Sequence, residues 1–191
     1  MLTPMLKKSL AVTCALALTL ACGSSPKPDP ELAKLTAQAN GNPMLAAWSG
    51  PHDGVPPWDR VKAELFPKAF ESSLALLLAE VDAIANNPEP PQFGNVIAPL
   101  EDAGRHQNRA ETLFGVLTGN LNTADVQAVD REWSPKIAAA YDKITFNEKL
   151  FARITQVYAA RETSGLTPEQ KRLLTRTFDQ YVRAGAKLSP D

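Results

Sequence analysis

Phe66, Phe70, Leu74, Leu77, Val81 and Ile84 recur at spacings of four, four, three, four and three, which gathers six large apolar side chains on one face of a helix. A strand would scatter them over two faces. A stripe of this length must be covered by other elements, so it commits the chain to a packed helical assembly. The pattern begins after Asp59, and Asn86-Asn87-Pro88 ends it, with Pro90-Pro91 stiffening the connection that follows.

Four more helices are expected to cover that stripe. Asn95 offers an N-cap to a second helix running to about Leu121, with Pro99 in or just after its first turn, where a missing N–H costs least. Thr123 caps a third, with Asp125 in its first turn; Val126, Val129, Trp133, Ile137, Ala140 and Ile144 form its buried stripe, and Pro135 should kink it. Asn147 caps a fourth carrying Leu150, Phe151, Ile154 and Tyr158 and ending near Gly165. Thr167-Pro168-Glu169-Gln170 opens a fifth: threonine caps, proline takes the first helical position and glutamine completes a capping box. It runs to Gly185. The expected fold is all-α, a bundle of about five helices, and 44% apolar content in 191 residues supplies a core for it.

The front of the chain is different. Lys7 and Lys8 precede a run of small and apolar residues from Ser9 to Ala21, the pattern of a secretory signal. The run is roughly a dozen residues, short of the ~20 that a spanning helix needs. Leu18-Thr19-Leu20-Ala21-Cys22 resembles a bacterial lipobox, which implies cleavage before Cys22 and a lipid on its thiol; ordinary signal cleavage nearby is the alternative. Gly23 after Cys22 resembles lipoproteins sorted to the outer membrane, facing the periplasm. Residues 1–21 thus read as a signal peptide, 22–41 as a Pro-rich tether with a weak helix over Glu31 to Ala39, and 42–191 as the helical domain. Within that domain Trp48 to Trp58 is an irregular Gly/Pro arm whose two tryptophans should pack somewhere. Ser189-Pro190-Asp191 repeats the order that opens a helix and reads as a further start signal or a polar tail.

Without residues 1–22 the chain carries 18 basic and 21 acidic residues, interspersed, so nucleic acid is not an expected partner. Cys14 lies in the removed stretch, which leaves Cys22 without a disulfide partner. The only histidines, His52 and His106, are far apart and lack an HExxH or a cysteine pair, so no metal residue is assigned. His106 reads as a solvated or hydrogen-bonded helix residue, and His52 as an exposed arm residue. Ser49 is not on a nucleophile elbow, and Glu71, Glu80 and Glu101 read as exposed carboxylates without a paired partner. Gly115 and Gly119, four apart, could permit close helix packing. No catalytic residue is assigned, and the one modified position expected is Cys22.

Several blocks, in one order from about Asn42 to the last residue, carry a resemblance. They include Gly54-Val55-Pro56-Pro57-Trp58-Asp59, Phe66-Pro67-Lys68-Ala69-Phe70-Glu71, Ile84-Ala85-Asn86-Asn87-Pro88, Pro90 to Ile97, Glu132-Trp133-Ser134-Pro135-Lys136 and Tyr181-Val182-Arg183-Ala184-Gly185. Together they resemble the N-terminal region of the thimet oligopeptidase, oligopeptidase A and peptidyl-dipeptidase Dcp family of zinc metallopeptidases. The resemblance implies helices that wall a channel admitting short peptides, with zinc held by an HExxH that this sequence does not contain. The expected function is the N-terminal part of a lipid-anchored zinc oligopeptidase or peptidyl-dipeptidase, inactive alone, with short peptides and a membrane as partners. The alternative is an autonomous lipid-anchored helical binding module without catalysis.

Overall fold

The computed structural model describes residues 29–51 and 54–186. Residues 1–28, including the signal stretch and Cys22, lie outside them, as do His52 and Ser189 to Asp191. Among the described residues the chain forms seven α-helices: α1 (Pro30–Asn40), α2 (Phe66–Ala85), α3 (Phe93–Asp102), α4 (Arg105–Asn120), α5 (Ala124–Thr145), α6 (Glu148–Ala159) and α7 (Pro168–Arg183). Two 3₁₀ turns, Trp58–Arg60 and Ala63–Leu65, lead into α2. The all-α expectation holds. Within the 22–41 stretch read as a tether, residues 30–40 are a helix packed through Ala39, Leu32 and Leu35.

All six members of the leading stripe are buried. Their helix, α2, is the centre of the assembly and touches α1, α3, α4, α5 and α6. Its first half enters an aromatic cluster in which Phe66 and Phe70 meet Phe114 of α4 at ring separations of 4.8 and 5.3 Å, while Trp133 of α5 lies 5.7 Å from Phe70. Each such side chain contributes about 1.5–3 kcal/mol by leaving water, so this cluster fixes α4 and α5 on α2. On the far side α6 and α7 form a pair: Tyr158 stacks on Phe178 at 4.0 Å, and Arg161 covers the Tyr158 ring.

The helix starts follow the side chains that cap them. Thr123, Asn147 and Thr167 accept from Val126, Leu150 and Gln170 N–H, and the Gln170 side chain returns a bond to Thr167 N–H. The expected second helix needs correction, because it is two helices. Gln92, not Asn95, is the N-cap; Asn95 is the third helical residue and its Oδ1 accepts the Gln92 N–H in a capping box. Pro99 therefore sits in the body of α3, which stops three residues later. Gly104 then takes φ +79°, and an added Cβ would stand 3.1 Å from Leu77 Cδ1, so the turn between α3 and α4 is a glycine position on two counts. α5 runs unbroken through Pro135, and α6 ends at Ala159 rather than near Gly165, with the intervening residues in turns.

The arm is held rather than loose. Val55 N–H donates to Ser49 O in an isolated antiparallel bridge, and Gly54 (φ +117°) lies where a Cβ would be 2.7 Å from Trp48 O. Trp48 packs on the core, but Trp58 remains 44% exposed, so only one of the two tryptophans finds cover among the described residues. A buried arginine holds the Pro-rich connection after α2: Arg153 of α6 donates to Asn87 O (2.7 Å) and Glu89 O (3.0 Å). These bonds satisfy two carbonyls that prolines on either side leave without helical partners.

Candidate functional site

The residues with chemical potential in the sequence are not brought together. His106 Nε2 lies 3.0 Å from Asn40 Oδ1 and ties α4 to the end of α1; burial, with Arg109 nearby, lowers its pKa and keeps the ring neutral at pH 7. Glu71 and Glu101 are exposed as expected. Glu80 corrects that expectation: it is half-buried, and its Oε2 accepts the Gly104 N–H at 2.8 Å. Burial raises its pKa, against the opposing pull of that hydrogen bond. Ser49 sits in the arm bridge, and Gly115 and Gly119 are exposed with no atom near enough to count as close packing. Among the described residues no three His, Cys, Asp or Glu side chains come together as metal ligands, so they offer zinc no site.

A cavity of about 280 Å³ opens between α2, α3, α5 and α7. α2 supplies Leu77 and Val81, α3 supplies Leu100 and Glu101, α5 supplies Tyr141 and Ile144, and α7 supplies Thr177, Gln180 and Tyr181. The floor is apolar and the rim is polar, the composition of a small-ligand site. Tyr181 is only 9% exposed, and its hydroxyl has no hydrogen-bond partner among the described residues. Burial pushes its pKa up to about 12, so it remains a neutral donor at physiological pH.

Tyr141 connects the cavity to the interior. Its hydroxyl donates to Glu111 Oε2 at 3.0 Å, Gln107 Nε2 donates to Glu111 Oε1 at 3.1 Å, and Ser73 Oγ donates to Gln107 Oε1 at 2.6 Å. Burial and the Glu111 charge both raise the tyrosine pKa. Gln107 is fully buried with both ends of its amide used, which fixes α4 against α2 in one register. This arrangement binds and orients; it pairs no nucleophile with a base. Sequence reasoning missed it because Tyr141, Tyr181 and Gln107 lie on separate helices. One signal was present: Gln107 occupies the same helical stripe as Ala110, Phe114 and Leu117, a polar residue at a core position.

No protein-family profile matches the chain. The dipeptidyl carboxypeptidase of Escherichia coli strain K12 is 33% identical over 148 residues, which is 78% of this chain and 22% of that protein. The dipeptidyl carboxypeptidase of Salmonella typhimurium strain LT2 is 31% identical over 150 residues, again 78% of this chain and 22% of its own length. The chain thus spans about a fifth of the length of these curated relatives, and a match of this extent in 191 residues must include the arm and the helices from α2 to α5. These matches bear out, through these residues, the resemblance to the N-terminal region of the dipeptidyl carboxypeptidase and thimet oligopeptidase family of peptidases.

Proposed function

We propose that this chain forms part of the peptide channel of a zinc metallopeptidase that hydrolyses short peptides, and that residues beyond this sequence cut the bond. The observation that carries the reading is the match to two dipeptidyl carboxypeptidases over 78% of this chain and 22% of theirs. The α2/α3/α5/α7 cavity supports it, since a mixed apolar and polar wall suits a peptide side chain. Zinc, when bound in the complete enzyme, supplies a water activated at neutral pH. The residues described here select and orient substrate: helical walls around a narrow opening exclude folded proteins. The Leu18 to Cys22 sequence supports export and a lipid on Cys22, placing the activity at an envelope membrane, the outer one facing the periplasm.

The test compares the 191-residue chain with the product of the uninterrupted reading frame around it. The longer product should release dipeptides from a blocked tetrapeptide and contain stoichiometric zinc, while the 191-residue chain should do neither. Cleavage and tight zinc in the short chain would overturn the reading. Radiolabelled palmitate should enter the chain in a bacterial host and be lost in Cys22→Ser.

A second reading, an autonomous lipid-anchored helical binding module, draws support from the core, which closes among the described helices without outside elements. A genuine stop at the Asp191 codon, together with one cooperative urea transition of a monomer, would favour it.

A further inference from the structure

We propose that the α2/α3/α5/α7 cavity binds the amino-terminal residue of a short peptide, with its ammonium against Glu101 and its side chain among Leu77, Val81 and Ile144. The inference rests on the reading above that this region meets peptides, and it names the part of the peptide recognised. Three observations converge on that ligand.

The single charged group lining the cavity is a carboxylate, Glu101, which has no ion-pair partner among the described residues; the arginine nearby in sequence, Arg105, pairs with Asp102 instead. A cation is the complement. The floor is aliphatic, with Leu77, Val81 and Ile144 all buried, so the cation must be attached to an apolar group. Tyr181 then adds the third element: it lines the cavity, and its hydroxyl, without a partner among the described residues, is available to donate to an acceptor close to that apolar group.

An amino-terminal residue carries an ammonium, a side chain and a carbonyl acceptor within one unit. A lysine side chain has the ammonium and the apolar stem but no acceptor beside them. A free carboxylate would be repelled by Glu101. The volume, about 280 Å³, suits one residue and not an extended peptide. Tyr141, held by Glu111, closes the α5 side of the cavity and keeps its ring there.

The experiment titrates the ¹⁵N-labelled chain with leucinamide, N-acetyl-leucinamide and 4-methylpentanoate at pH 6.5, where an α-amine is protonated. Leucinamide should shift the amides of Leu77, Glu101, Tyr181 and Ala184 saturably. The acetylated compound and the anion should bind several-fold more weakly. Glu101→Gln should weaken leucinamide about two- to fivefold and leave the acetylated compound unchanged, as an exposed ion pair allows. Tyr181→Phe should weaken both amides by about two- to tenfold; should that variant fail to fold, Glu101→Gln alone decides. Equal affinity for all three compounds, shifts confined to other surfaces, or an unaffected Glu101→Gln would overturn the proposal. Because the titration involves no cleavage, peptidase activity in the longer product without leucinamide binding would sink this inference alone. Binding without that activity would sink the peptidase reading alone.

Discussion

Glu80 and Gln107 show how much a single polar side chain can do once it turns inward. Glu80 holds the N–H of a left-handed glycine, at the cost of partly desolvating its own charge. Its folded-state pKa lies above the unfolded value, so the native state binds the proton more tightly. The chain therefore gains stability as pH falls through the region just above the ordinary carboxylate value and loses that increment as pH rises. Glu80→Gln keeps an acceptor for Gly104 and has no charge to desolvate. Urea titrations at pH 5 and pH 7 should show a smaller difference for this variant than for the parent, whereas Glu80→Ala should lose about 1 kcal/mol at both by leaving the N–H unpaired. The sequence did not disclose this role, because a glutamate among charged helix residues is exposed by default. Its partner is 24 positions away and becomes its neighbour only when α4 folds back on α2.

At the scale of elements, starts were easier to read than breaks. Thr123, Asn147 and Thr167 announce their helices with side chains that cap locally, and each cap forms where the sequence places it. The α3–α4 break has no such local signature. Ala103-Gly104 lies between two apolar runs that continue in helical phase, and the demand for glycine there comes from its left-handed backbone and from Leu77 of α2, which packs where a Cβ would stand. Gly104→Ala should therefore cost more than a helix-propensity difference: about 1–2 kcal/mol for the left-handed backbone, with further loss from displacing Leu77. Thr167→Ala tests the opposite case, a cap that acts locally. About 1 kcal/mol should be lost, and amide exchange should quicken in the first turn of α7 while α2 is unaffected. The cavity was invisible for the same reason as the break, since its walls come from four helices whose pairing no local pattern states.

For the whole molecule, the stripe that fixed the fold class also named its central helix. Phe66 through Ile84 do lie at the middle of the bundle, and the aromatic cluster around Phe70 joins helices that are distant in sequence. Among the described residues, large apolar side chains left exposed fall at three places: the arm and the 3₁₀ turns before α2 (Val55, Trp58, Leu65), the end of α4 with the link after it (Val116, Leu121), and the second half of α5 with the link to α6 (Tyr141, Phe146). That all five of its neighbours lean on α2 has a temporal consequence. None of those helices can bury its apolar face fully until α2 is in place, whereas α7, which packs chiefly on α6 and α3, can dock early or late. Substitutions such as Phe70→Leu or Leu77→Ala should then act mainly on the refolding limb of a chevron, and Phe178→Leu in α7 mainly on the unfolding limb. Equal partitioning at both sites would mean that the bundle has no preferred order of assembly. If the order holds, a chain emerging amino-terminus first during synthesis would present its nucleus before its last helices arrive, and the arm would be anchored while α7 was still free.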